Sequence, residues 1–302
     1  MKSSSVIRCI AILVIFSFPA RAQDTLHFFA PGPAGLLEGE LYHKTKEPST
    51  TVLFLVGSGT GSTLTSYRDF VRYFFGDAVN QGINIAIFNK RGIGRSAGRW
   101  DTADFEDRAA DAAAVAQYLI KDGWSSNVIL AGHSQGGWIA QVGLSKYPEL
   151  FSAGLSMAGP SFSVEEQLIN DYCSQYICAG ADSLQARSKA ERKVKALLRA
   201  SSFVFWKGRL RQLKTIRKFD PVAYWPGVTR PLLFMWAEND ALVNPSVCIG
   251  TFEQEANASF LAYRVIQGAN HSFRRAAPCT SSRTTAYSAE AKSLVEDFLG
   301  LK

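Results

Sequence analysis

Histidine is scarce in this chain: there are four, at positions 27, 43, 133 and 271 of 302 residues. With so few imidazoles, and no C-x-x-C pair among five cysteines, a metal site is not expected. Long apolar runs are missing too. Ile10 to Phe18 spans only nine positions, too few to cross a bilayer, and nothing later is longer, so no stable membrane anchor is expected. Acidic residues are nearly absent from one stretch. Between Arg187 and Lys218 twelve Lys/Arg accompany a single acid, Glu191, so this segment alone carries +11. The net charge of +7 is therefore local in origin, and no nucleic-acid partner is expected.

What is present is enough for a full core: 47% hydrophobic and 12% aromatic residues, suited to one large domain or one domain with an insertion. The first residues read as an export signal, residues 1–22. Lys2 and Arg8 form the basic start, Ile10 to Phe18 the apolar run, and Ala20-Arg21-Ala22 the small-x-small site before Gln23. A periplasmic or extracellular mature chain follows. Cys9 would leave with the signal, so Cys173, Cys178, Cys248 and Cys279 would remain in an oxidising compartment. Four cysteines allow three pairings. Cys173–Cys178 and Cys248–Cys279 are the expected ones, with four buried free thiols as the alternative.

Apolar runs and turn signals alternate in a βα rhythm. Strands are expected at Leu26–Ala30, Leu36–His43, Val52–Val56, Ile83–Phe88, Val128–Ala131, Gly154–Met157, Pro231–Trp236 and Ala262–Ile266. Several are continuously apolar, as central strands covered on both faces must be. Helical periodicity marks Phe105–Ile120, with Asp101 or Asp104 as its cap, and Trp138–Leu144, Ser246–Glu255 and Ser288–Leu299. The fold class is α/β, a mostly parallel sheet with helices on both faces. Residues 160–226 break the rhythm and read as a helical cap inserted between two parts of the core, 23–159 and 227–302. The cap ends at Asp220-Pro221 and Trp225-Pro226.

Gly132-His133-Ser134-Gln135-Gly136 lies between a strand and a helix, the pattern of a nucleophile elbow. A turn that sharp strains the central serine and leaves no room for side chains at the flanking positions. The serine needs a general base. His27 and His43 lie in the first strands, and His133 adjoins Ser134 but points elsewhere, which leaves His271 in the loop after the last strand. The carboxylate that orients it is Asp240, with Glu238 as the rival. Oxyanion donors are expected from the Gln135 N–H and from Ser58 or Gly59 in the Gly57–Ser62 loop. That loop also resembles a dinucleotide turn. However, position 62 is Ser where a third glycine belongs, no acid ends the strand at Phe88, and no Gly-Lys-Ser/Thr follows.

Together these residues resemble the α/β-hydrolase superfamily, from about residue 35 to 300. The strongest matches are the elbow, Ala237-x-x-Asp240-x-x-Val243-x-Pro245, Gly268-x-x-His271, and Asn89-Lys90-Arg91-Gly92-Ile93-Gly94-Arg95-Ser96, similar to the family's Asp-x-Arg-Gly-x-Gly-x-Ser turn. The esterases and serine-aminopeptidase-like members are most similar in pattern. The resemblance implies an acyl-enzyme on Ser134 with no metal or organic cofactor and a small-molecule ester or amide substrate. Ester or thioester hydrolysis comes first, then peptidase or amidase action, then a binding protein with idle catalytic residues. Asn89 in place of Asp, and Val56-Gly57 in place of His-Gly, depart from the family pattern. In the cap, Phe203, Phe205 and Trp206 either line the substrate pocket or pack the cap onto the core.

Overall fold

A computed structural model describes residues 24–203, 206–280 and 285–301. The expected export signal and Phe205 lie outside the described residues. All eight expected strands are present: β1 (Asp24–Gly32), β2 (Gly35–His43), β3 (Ser49–Leu55), β4 (Asn84–Phe88), β5 (Ser125–His133), β6 (Phe151–Met157), β7 (Leu232–Ala237) and β8 (Leu261–Ile266). They form one sheet in the order β1-β2-β4-β3-β5-β6-β7-β8. The β1–β2 and β2–β4 pairs are antiparallel and the others parallel. The sheet is thus mostly parallel, with an antiparallel edge.

Burial alternates along each central strand. In β3, Leu53 and Leu55 face one layer, and Val52 and Phe54 the other. In β7, Leu232, Phe234 and Trp236 alternate in the same way with Leu233 and Met235. Both faces are covered, which is why these strands read as unbroken apolar runs. One layer holds α2 (Phe105–Lys121), α3 (Gln135–Lys146) and α7 (Pro245–Glu255). The other holds α1 (Arg68–Asn80) and α8 (Ala289–Phe298). Asp104, not Asp101, caps α2, accepting from the Asp107 N–H in a reciprocal capping box. Helix α1 was not among the expected elements, although Phe70, Val71, Phe74, Phe75, Ala78 and Val79 repeat at helical spacing and are buried.

Between β6 and β7 the chain leaves the sheet for α4 (Val164–Cys178), α5 (Ser183–Phe203) and α6 (Gly208–Ile216), then a 3-10 turn at Pro221–Gly227. Helix α5 packs Ala190 and Val194 against Ile169 of α4, and Arg187 reaches both carboxylate oxygens of Glu166 at 2.6 and 3.0 Å. Gln167 Nε2 donates to the Leu242 carbonyl at 2.6 Å, fastening α4 to the loop after β7.

The disulfide is Cys178–Cys279, not either expected pair; Cys173 and Cys248 are free. Cys173 and Cys178 share a helix five residues apart, so their side chains leave it in different directions. Cys248 faces inward from α7, fully buried, and burial pushes its thiol up to about 12. Cys178, at the last position of α4, meets the loop after β8 instead.

Candidate active site

Four loops at the carboxyl edge of the sheet build the site, following β3, β5, β7 and β8. From β3 the chain crosses to β4 on one side and then to β5 on the other, so a crevice opens between β3 and β5. The register pairs Leu55 with Gly132, and the segment after β3 therefore runs beside His133 and Ser134.

Ser134 has φ 56° and ψ −121°, a backbone conformation that costs a non-glycine residue of order 1–3 kcal/mol. Its surroundings fix it. The Ser134 N–H donates to Met157 O at 2.8 Å, and its carbonyl accepts from Gly137 N at 2.8 Å. A Cβ on Gly132 would lie 2.2 Å from the Gly136 carbonyl oxygen, and one on Gly136 would lie 2.2 Å from that of Leu55. The sequence needs glycine at both places because backbone meets backbone there. Gln135 is the first residue of α3, so its N–H has no carbonyl one turn earlier to meet.

Asp240 and His271 are brought together: His271 Nδ1 lies 2.7 Å from Asp240 Oδ2. Asp240 Oδ1 accepts the N–H groups of Leu242 and Val243 at 2.8 and 2.9 Å, so its buried carboxylate is fully engaged. With Nδ1–H given to Asp240, Nε2 is the accepting nitrogen of a neutral ring. Burial works against charging His271, but Asp240 and, less strongly, Asp171 of α4 outweigh it and raise its pKa above the ordinary value. The rival acid Glu238 is exposed and accepts the Gly268 N–H at 2.7 Å, away from the imidazole.

His133 is a strut, not a base. Its Nε2 lies 2.8 Å from the His271 carbonyl, which only accepts, so Nε2 carries the proton and Nδ1 accepts from the Tyr67 hydroxyl at 2.8 Å. Burial and the nearby His271 push its pKa down to about 3. Tyr67 Oη in turn accepts the Gly57 N–H at 3.1 Å. Ser58 and Gly59, the expected donors on this loop, are exposed just beyond Gly57. Tyr67 has no sequence signal of its own, Lys90 is marked only as a member of the 89–96 turn, and the signal for His133 is its place inside the elbow.

The substituted turn is supported by a second residue. Asn89 Oδ1 accepts the Leu64 N–H at 2.9 Å, and its amide donates to Glu38 Oε2 at 2.8 Å. Arg91 holds buried Asp111 through two bonds of 2.7 and 2.8 Å. Asn89 replaces a carboxylate here, and Glu38 supplies one.

A cavity of about 400 Å³ opens beside His271, lined among others by Gln175, Cys178, Leu242, Asn270 and Cys279. Two of the expected pocket aromatics, Phe203 and Trp206, are not among the residues lining this cavity. Phe203 is 77% and Trp206 64% exposed, and the buried side of α5 is set by Ala186, Ala190, Val194 and Ser201. Phe203 lies off that side.

A family model described as "Hydrolase_4: Serine aminopeptidase, S33" matches residues 46–275. The chain belongs to that family. Its members are serine hydrolases of the α/β-hydrolase superfamily. Among solved structures, an esterase of Pyrococcus furiosus, Pf2001, is similar at 18% identity, with 92% of this chain and 91% of that one covered and a TM-score of 0.63. An α/β serine hydrolase of Xanthomonas campestris described as lacking a lid is 15% identical over 94% and 97%, with a TM-score of 0.56. Est1E of Butyrivibrio proteoclasticus, in a structure with ferulic acid bound, is 13% identical over 90% and 97%, with a TM-score of 0.56. No curated relative matches at a significant level. Among the described residues, no helix is long and apolar enough to cross a membrane.

Proposed function

We propose that this protein hydrolyses a carboxylic ester or thioester through an acyl-enzyme on Ser134. The observation that carries this is that a strained Ser134 at the elbow shares the carboxyl edge of the sheet with a His271 whose Nδ1 is engaged by buried Asp240. Ser134 Oγ attacks the carbonyl carbon while His271 Nε2 takes its proton. The tetrahedral oxyanion accepts from the Gln135 N–H and from Ser58, with Gly59 as the other candidate. Collapse breaks the carbonyl–leaving-group bond, and His271 returns its proton to the departing alcohol or thiol. Water, deprotonated by His271, repeats the sequence and frees the acid.

The family description supports a second reading, an aminopeptidase. An ester is favoured because, among the described residues, no Asp or Glu lines the 400 Å³ cavity to meet a free amino group; Asp171 of α4 stands outside that lining and accepts from Gln175 Nε2 at 3.0 Å. Labelling by a fluorophosphonate, mapped to Ser134 by mass and lost in Ser134→Ala, tests the acyl-enzyme. A p-nitrophenyl ester panel run beside aminoacyl-naphthylamides separates the two substrates; turnover of the amides alone rejects the ester reading. Residues 1–22 are proposed as an export signal, a reading supported by the Cys178–Cys279 disulfide, which an oxidising compartment sustains. Amino-terminal sequencing of the mature chain should begin at Gln23.

A further inference from the structure

Lys90 follows β4 at the same edge of the sheet as Ser134 and is 7% exposed. Its Nζ donates to the Gly57 carbonyl at 2.7 Å. Among the described residues no carboxylate pairs with it. Asp111, which lines the same small cavity, is committed to Arg91. The charged neighbour that acts on Lys90 is Arg108, itself buried. An ammonium buried beside another cation is costly, and its one clear return is the hold on Gly57.

That hold has a geometric consequence. Gly57 is fixed on both sides, its N–H by Tyr67 and its carbonyl by Lys90. In a trans peptide the carbonyl of residue 57 and the N–H of residue 58 point in opposite directions. With the carbonyl drawn to Lys90, the Ser58 N–H must point away from it. Gly57 also sits against the nucleophile, since a Cβ built on it would lie 3.4 Å from Ser134 Cβ. The other donor, the Gln135 N–H, is placed by the start of α3, and the Arg108 guanidinium donates to the Gln135 side chain.

We infer that Lys90 is a positioning residue for acyl transfer, locking the 57–58 peptide so that Ser58 N–H serves as the second oxyanion donor beside Gln135. The inference rests on the acyl-enzyme reading above. It also selects Ser58 over Gly59.

The test compares the full-length wild type with Lys90→Met. This substitution keeps an unbranched side chain, one atom shorter, while removing the charge and the donor. The peptide is then free to turn, and kcat on a p-nitrophenyl ester should fall by roughly 10- to 100-fold with KM changed less than about threefold. A trifluoromethyl ketone, which forms a tetrahedral oxyanion on the serine, should lose affinity by the same factor. The carboxylate product, which forms none, should keep its affinity. If the Met variant does not fold, Lys90→Gln is read by the same ratio of ketone to product affinity. An unchanged kcat, or equal losses for ketone and product, overturns the role of Lys90 while wild-type labelling at Ser134 stands. Wild type that fails to label at Ser134 removes the acyl-enzyme reading, and this inference with it.

Discussion

His133 Nε2 donates to the backbone carbonyl of His271 at 2.8 Å, joining the strand that leads into Ser134 to the loop that carries His271. Through Tyr67 the same imidazole reaches the Gly57 N–H. A single neutral ring thus ties together the loops after β3, β5 and β8. Their relative placement depends on it as much as on the sheet.

Replacing His133 with Ala leaves the Tyr67 hydroxyl and the His271 carbonyl without that partner. Each buried group left unsatisfied costs about 1–3 kcal/mol. The expected result is a melting temperature several degrees lower by calorimetry, together with a kcat loss of at least about tenfold as the base loop shifts. A variant with unchanged kcat would show that the strut does not position the base.

Asp240→Asn should lower kcat by roughly 10³- to 10⁴-fold, because an amide neither fixes the tautomer nor stabilises the charged ring. The sign of the pH effect follows from the raised pKa of His271. The base works only when neutral, so wild-type activity should rise through an acid limb lying above the ordinary histidine value. Without the carboxylate, that limb moves to lower pH. Glu238→Gln should leave both kcat and the limb in place, since its oxygen can still accept from Gly268. Rate profiles of the three proteins between pH 5 and pH 9 decide the matter.

Lys90 makes a prediction about stability. Burial, with Arg108 adding to it, drops its pKa to about 7 in the folded protein from an ordinary value of 10.5. Between those values the unfolded chain holds the proton and the folded one does not, so stability rises with pH across that window. Below about pH 7 both states carry the charge and the burial penalty is felt in full. Denaturant titrations from pH 6.5 to 10 should show the rise in wild type and a flatter curve in Lys90→Met. Parallel curves for the two proteins would mean that Lys90 is not strongly perturbed.

The disulfide closes a separation of 101 residues. Non-reducing peptide mapping should find Cys178 joined to Cys279, and never Cys248 joined to Cys279. The double substitution to Ser should cost about 2–4 kcal/mol, read as a fall in melting temperature of roughly 5–10 °C. In the native protein iodoacetamide should modify Cys173, which is partly exposed, well before the buried Cys248. Rapid modification of Cys248 would contradict its burial.

The strands were legible because both faces of a central strand are covered, leaving runs such as Leu232–Trp236 with nothing polar in them. Ser134 was legible because the glycines beside it answer a local steric demand. Asp240 and His271 could be located by their loops, and the distance between them is a product of the β7–β8 register. Other features depend on which segments become neighbours. The partner of Cys178 lies beyond three α-helices and two strands, so spacing favoured the wrong pairs. Lys90 meets Gly57 only because β4 lies beside β3 in the sheet, and nothing along the chain announces that adjacency. Phe203, read from its size as either a pocket wall or a packing residue, lies off the inward side of α5, which is set mainly by small residues.

Helix α4 is secured by Gln167 at one end and by a covalent bond at the other, eight residues beyond the base histidine. A roof held this way cannot swing open as a hinged flap without dragging the segment behind His271. Widening the cavity beside His271 by swinging α4 would therefore displace the imidazole's own loop as well.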